Sequence, residues 1–138
     1  MILVVAAVLV DDLATPTRIL AARRCTPAAL AGFWEFPGGK VEPAEDPLEA
    51  LHRELAEELQ ITVELGSELE NPAGGAWPIA TELEMRLWFA VIKTGVPTAT
   101  GSHDQLRWLA SAQLNDVPWL PADTTIVARL RERLDWRA

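Results

Sequence analysis

Residues Ile2 to Val10 read ILVVAAVLV, an unbroken apolar run rich in Val, and no other stretch limits the possible folds so strongly. A strand wetted on one face alternates apolar with polar side chains, whereas a run without alternation is a strand covered on both faces. The sheet that contains it therefore needs a layer on each side. A secretory leader is the competing reading of such a start. The run lacks a positive flank, stops before Asp11 and Asp12, and is followed by no cleavage pattern. It is also too short to cross a membrane.

The rest of the chain supplies the partners. After a turn over Asp11 to Thr17, the segments Arg18–Arg23, Ile61–Leu65, Glu84–Ile92 and Gln105–Leu109 read as strands. Gly and Pro punctuate residues 24–39 and 71–78, which read as loops, and Ala110–Asn115 reads as a helical turn. A helix is predicted over Asp46–Leu59. A second is predicted from Pro121, where Ile126, Leu130 and Leu134 recur every four residues opposite exposed arginines. With no repeat or linker, 138 residues make one domain. The expectation is a single α+β domain over residues 1–138, an α/β/α sandwich with a mixed sheet between helices.

Charge is concentrated in one place. From Glu35 to Gln60 there are eight acidic residues against Lys40 and Arg53, in a chain of net charge −8. A pI near 4.7 argues against a nucleic acid polymer as partner, since a phosphate backbone needs a basic face. It leaves open a small nucleotide whose phosphates are approached through metal ions. The single Cys25 forms no internal disulfide and suits a reducing cytoplasm.

The predicted first helix opens with Asp46 as a cap and Pro47 at the first helical position. Leu48, Leu51, Leu55 and Leu59 fall within about 80° on a helical wheel and make the expected buried seam. Glu54, Glu57 and Glu58 lie together on a neighbouring face. Such like-charged neighbours cost roughly 0.2–0.5 kcal/mol per pair, and acids late in a helix also oppose its dipole. A solvated face is one reading of this cluster. A site for a hard divalent cation is the other, because the ion would reverse both penalties. Gly38-Gly39 adds a turn at which backbone can approach a ligand closely.

Taken as a pattern, Gly39, five residues, Glu45, seven residues, and then Arg53-Glu54-Leu55-x-Glu57-Glu58 resembles the signature of the Nudix hydrolases, with the box at about 39–61. The resemblance extends to LAGFWEFPGG before the box, to LRW and to the late LPAD, and so covers most of the chain. It is nearest the MutT-like group. The resemblance implies hydrolysis, dependent on Mg²⁺ or Mn²⁺, of a nucleoside triphosphate to the monophosphate and pyrophosphate, as in nucleotide-pool sanitation. Carried over by position, Glu54, Glu57, Glu58 and the Gly38 carbonyl would hold the metal. Glu54 would activate water with Glu45 assisting, and Arg53 would hold the glutamates by ion pairing. Arg24, Gly39, Lys40 and Asp123 would meet the nucleotide. The implied partner is a small nucleotide, with neither membrane nor polymer, and the protein would be a monomer or homodimer.

Three positions qualify the match. Gln60 stands where the box has Gly, which implies an altered helix end without lost catalysis. Ser102 stands where many MutT-like enzymes carry an acidic ligand, with His103 or Asp104 as replacements, although a turn aspartate is the plainer reading of Asp104. Asp123 matches a base-reading position. An aspartate there accepts from an amine such as cytosine N4 or, protonated, donates to a carbonyl, and it also suits a helix N-cap. This slightly favours cytosine-type nucleotides over oxidised purines. Trp34, Phe36 and Trp88 are candidates either to stack a base or to fill the core. The alternatives are a Nudix hydrolase of ADP-ribose or a dinucleoside polyphosphate, and a Nudix-fold sensor that binds a nucleotide without cleaving it.

Overall fold

In the computed structural model of the protein, which describes residues 1–133, β1 (Ile2–Val10) runs through the middle of an eight-stranded sheet. Its side chains alternate between two cores. Val5, Ala7 and Leu9 enter one, and Ala6, Val8 and Val10 enter the other, all essentially without exposure. This is the double coverage that the apolar run demands.

β7 (Leu83–Thr94) lies parallel to β1 along its whole length, from Ile2 opposite Leu83 to Val10 opposite Val91. The other pairings are antiparallel. β2 (Arg18–Arg24), β3 (Trp34–Glu35), β5 (Thr62–Glu68) and β8 (His103–Ala110) extend the sheet, while β4 (Gly38–Lys40) joins β1 and β6 (Trp77–Ala80) joins β7. One face is covered by α1 (Pro47–Leu59), which contributes Ala50, Leu51, Leu55 and Leu59. On the other face, α2 (Thr124–Arg133) supplies Ile126, Val127 and Leu130 beside Trp34, Trp77 and Trp119. The result is a mixed sheet between helices, of the α+β class.

Two strands share one edge of β1 at different heights. β2 meets it only at Val10 opposite Ile19, whereas β4 meets it along Val4, Val5 and Ala6. The cavity described below is lined by Val4 and Ala6 of β1, Arg24 of β2 and all three residues of β4.

Three strands fall in or across spans that read as loops, namely β3 within 24–39, β4 across its end, and β6 across the end of 71–78. They are two to four residues long and exist through pairing with distant strands, so local sequence does not announce them. Pro78 is tolerated because β6 pairs only with β7 and sits at an edge. The predicted second helix begins as a 3-10 turn, Pro121–Asp123, before α2 proper, and Leu134 lies outside the described residues.

Candidate active site

α1 starts as its sequence suggests. The Asp46 carboxylate accepts from the backbone N–H groups of Leu48 (3.0 Å) and Glu49 (3.3 Å), and Pro47 follows it. Leu51, Leu55 and Leu59 of the expected seam are fully buried, but the buried face is turned away from Leu48. Leu48 is 38% exposed, while Ala50 is fully buried and the Glu54 side chain is only 14% exposed. The stripe that meets the sheet is therefore turned toward the carboxylates, and takes in Glu54 and Glu58 while leaving Glu57 outward at 60%.

The turn at Gly38-Gly39 makes this possible. A Cβ at Gly39 would lie 2.2 Å from Glu54 Cδ, so the missing side chain is the space that the Glu54 carboxylate occupies. A Cβ at Gly38 would lie 2.0 Å from the Val5 carbonyl oxygen, so that glycine is required by strand pairing. Arg53 fastens the two parts together. Its guanidinium donates to both Glu45 oxygens (2.7 and 2.9 Å), to Glu54 (2.9 Å) and Glu57 (3.3 Å), and to the Lys40 carbonyl (3.2 Å).

The electrostatics differ within this group. Hydrogen bonding to Arg53 holds the Glu45 carboxyl down to about 2. Glu54 is pushed up instead, chiefly by burial and further by the nearby Glu57 and Glu58 charges, despite its own bond to Arg53.

Helix α1 ends differently from expectation. Gln60 does not alter the helix end, for it adopts the left-handed conformation (φ 61°, ψ 39°) that a glycine would take, and its N–H donates to the Ala56 carbonyl (3.1 Å). The segment after β7 secures it. Thr98 N–H donates to the Leu59 carbonyl (3.1 Å) and the Thr100 hydroxyl to that of Glu58 (2.7 Å), satisfying orphan groups that would otherwise fray. The cost of the Cβ is offset by this cover.

The same segment leads into β8, where the residues around the absent acidic ligand separate. The Ser102 carbonyl accepts from Cys25 N–H (2.8 Å). Asp104 points away and forms a two-pronged pair with Arg23 (both 2.8 Å), so it is neither a plain turn residue nor near the carboxylates. His103, on the opposite face of the strand, points inward. Its ring lies 2.8 Å from Glu35 through Nε2 and 3.5 Å from Glu58 Oε2 through Nδ1. Glu35 also accepts from Arg24 (2.9 Å).

A cavity of about 620 Å³ opens beside the glycine turn, with Arg24, Glu35, Phe36, Gly38, Gly39, Lys40 and Asp123 among its lining residues. The four residues expected to meet a nucleotide thus share one cavity, and Phe36 is the one proposed stacking residue found there. Trp34 and Trp88 are core residues that do not line it. Asp123 is 2% exposed and its Oδ2 has no hydrogen-bond partner. Burial, reinforced by the Glu35 charge, pushes its carboxyl up to about 7.

Among the described residues, no three His, Cys, Asp or Glu side chains converge as a ready metal cage. Glu54 and Glu57 are held by Arg53, and Glu58 turns toward His103. The donor set still fits a hard divalent cation, because it consists of carboxylate oxygens on one helix face beside a glycine turn. Glu58 Oε2 is buried without a partner, and that unmet demand also favours a nearby cation or donor. Glu35 is the residue whose part sequence reading missed. The available signal was its place between Trp34 and Phe36, where a lone charge between two core aromatics needs a partner.

Known proteins resemble this chain along most of its length. The NUDIX domain family matches residues 2–130. A Mycobacterium tuberculosis protein named as an 8-oxo-dGTP diphosphatase is 38% identical over 120 residues, covering 87% of this chain and 84% of that protein. The CTP pyrophosphohydrolase of Escherichia coli is 35% identical over 128 residues, covering 92% and 89%. The solution structure of the E. coli ORF135 protein superposes with a TM-score of 0.73 at 32% identity, covering 96% of this chain and 89% of that one.

Proposed function

The chain belongs to the NUDIX domain family, and from that premise we propose that it hydrolyses a nucleoside triphosphate to the monophosphate and pyrophosphate, with a cytosine-type or oxidised purine base. The observation that carries this reading is a cavity lined at one end by the glycine turn, against which Glu54 of the carboxylate helix packs, and at the other by the buried, unpartnered carboxyl of Asp123. Phosphates belong at the first end and the base at the second.

Glu54, Glu57, Glu58 and the Gly38 carbonyl would hold Mg²⁺ or Mn²⁺. Bound there, the ion supplies charge neutralisation at the phosphoryl oxygens and at the departing pyrophosphate. Glu54 orients and deprotonates the attacking water, and its raised pKa brings it nearer the range in which a carboxylate serves as a base. Arg53 keeps Glu45, Glu54 and Glu57 in register with the glycine turn, while Arg24 and Lys40 bring positive charge to the cavity. Water adds across the phosphoanhydride, its proton passes to Glu54, and pyrophosphate leaves.

At the far end, a carboxyl near 7 is present in both protonation states at neutral pH. The ionised form accepts from an exocyclic amine and the neutral form donates to a carbonyl. Both kinds of base therefore suit Asp123, in line with relatives named for CTP and for 8-oxo-dGTP.

The test is a panel of CTP, dCTP, 5-methyl-dCTP, 8-oxo-dGTP, ATP and ADP-ribose with Mg²⁺, scored for monophosphate and pyrophosphate. Turnover confined to triphosphates supports the proposal, and preferred cleavage of ADP-ribose overturns the substrate class. Tight binding without turnover of any member replaces it with a nucleotide sensor.

A further inference from the structure

Two buried polar atoms without hydrogen-bond partners face each other at the edge of the carboxylate helix. Glu58 Oε2 and His103 Nδ1 are each sealed from solvent, and they lie 3.5 Å apart. Chance is a poor account of such a pair, because each orphaned buried group costs roughly 1–3 kcal/mol. The His103 side chain is 1% exposed, and its other nitrogen is anchored on Glu35, which Arg24 also holds.

We propose that His103 is a positioning residue. With a proton on both nitrogens between the two carboxylates, it donates from Nδ1 to the back of Glu58 and from Nε2 to Glu35, and so ties the metal-facing end of the cleft to the Arg24–Glu35 pair in the nucleotide cavity. The inference rests on the metal site proposed above.

Burial decides between positioning and direct coordination. An ion lodged between Nδ1 and Oε2 would be sealed away from a substrate in the cavity. A donor placed behind a carboxylate, by contrast, leaves the other oxygen free to face the ligand and restricts the rotamer that presents it. The strand register sets this up, for His103 lies opposite Arg24 in the β2–β8 pairing and so enters on the side of α1's last turn. Gly101 completes the arrangement: a Cβ there would press on Glu58 Oε2 at 3.2 Å.

The test is Mn²⁺ binding by the full chain without nucleotide, read from the electron paramagnetic signal of the free ion. Variants are compared with the wild type, with thermal melts as a check on folding. An asparagine amide lies about where Nδ1 does, and a glutamine amide about where Nε2 does. His103→Asn therefore keeps the donor toward Glu58, and His103→Gln keeps only the one toward Glu35. We expect His103→Gln and His103→Ala to weaken Mn²⁺ binding by roughly 10-fold or more, and His103→Asn by much less. Adding His103→Gln to Glu58→Gln should bring no further loss, because the two act as one unit.

Equal Mn²⁺ affinity in wild type and folded His103→Gln, with Glu58→Gln clearly weakened, overturns the role of His103 and leaves the metal site standing. Absence of Mn²⁺ binding in the wild type overturns both. If His103→Ala fails to fold, the contrast between Asn and Gln decides the matter alone, and a loss of stability without that contrast marks a packing residue.

Discussion

The two ends of the cleft use carboxylates in opposite surroundings. At the α1 end, Glu45, Glu54 and Glu57 share one guanidinium, and each has at least one charged donor. At the α2 end, Asp123 sits in the protein interior with an oxygen that bonds to nothing among the described residues, and the Glu35 charge that acts on it is of like sign. The first arrangement holds Glu45 ionised and gathers all three carboxylates around one cation beside the glycine turn. The second suppresses ionisation and leaves hydrogen-bonding capacity for a ligand to use. A side chain's chemistry here is set by its surroundings more than by its type.

Changes at the α1 end should affect turnover with little effect on folding. Removing the proton acceptor with Glu54→Gln is expected to lower kcat by roughly 10²–10⁴-fold, measured as pyrophosphate release. The glycine turn then separates catalysis from structure. Gly39→Ala displaces only the flexible end of Glu54 and should cost turnover roughly 10²-fold in a folded protein. Gly38→Ala strikes backbone and should lower stability by about 1–3 kcal/mol, seen as a reduced melting temperature.

Asp123 should behave in the reverse manner. A carboxyl raised from 3.8 to about 7 on folding binds its proton more tightly in the native state. Its effect on stability is therefore nil below pH 3.8, grows unfavourable as pH rises to 7, and is constant above. Asp123→Asn should stabilise the protein at pH 8, by at most roughly 4 kcal/mol, and leave it unchanged at pH 3.5. Urea midpoints at the two pH values check this. The same variant should lose discrimination among bases, so that stability is gained where recognition is lost. The smallest effect belongs to Asp104→Ala, which opens a half-exposed pair with Arg23. Stability should barely change and kcat should stay as in the wild type, in contrast to the neighbouring His103.

Which parts were legible from sequence follows from how local their causes are. The Val-rich run, the Asp46-Pro47 start and the spacing from Gly39 to Glu58 are short-range patterns, and each corresponds to an observed element. The rotation of α1 was not legible, because a helical wheel ignores the space that Gly39 opens to Glu54. Gln60 misled for a similar reason. Its strained backbone is held by Thr98 and Thr100, some forty residues away. The His103–Glu35 contact spans 68 residues and depends on how β3 and β8 each pair with β2, which no local period encodes.

A phosphoanhydride hydrolase built on α1 is tested most directly by Glu57→Gln, since that side chain is 60% exposed and its replacement should leave folding intact. The measurement is pyrophosphate release from dCTP or 8-oxo-dGTP with Mg²⁺, for wild type and variant of equal melting temperature. The wild type is expected to give monophosphate and pyrophosphate, and Glu57→Gln a rate lower by roughly 10²-fold or more. Equal rates in the two proteins, or a wild type that binds nucleotide and releases no product, would contradict it.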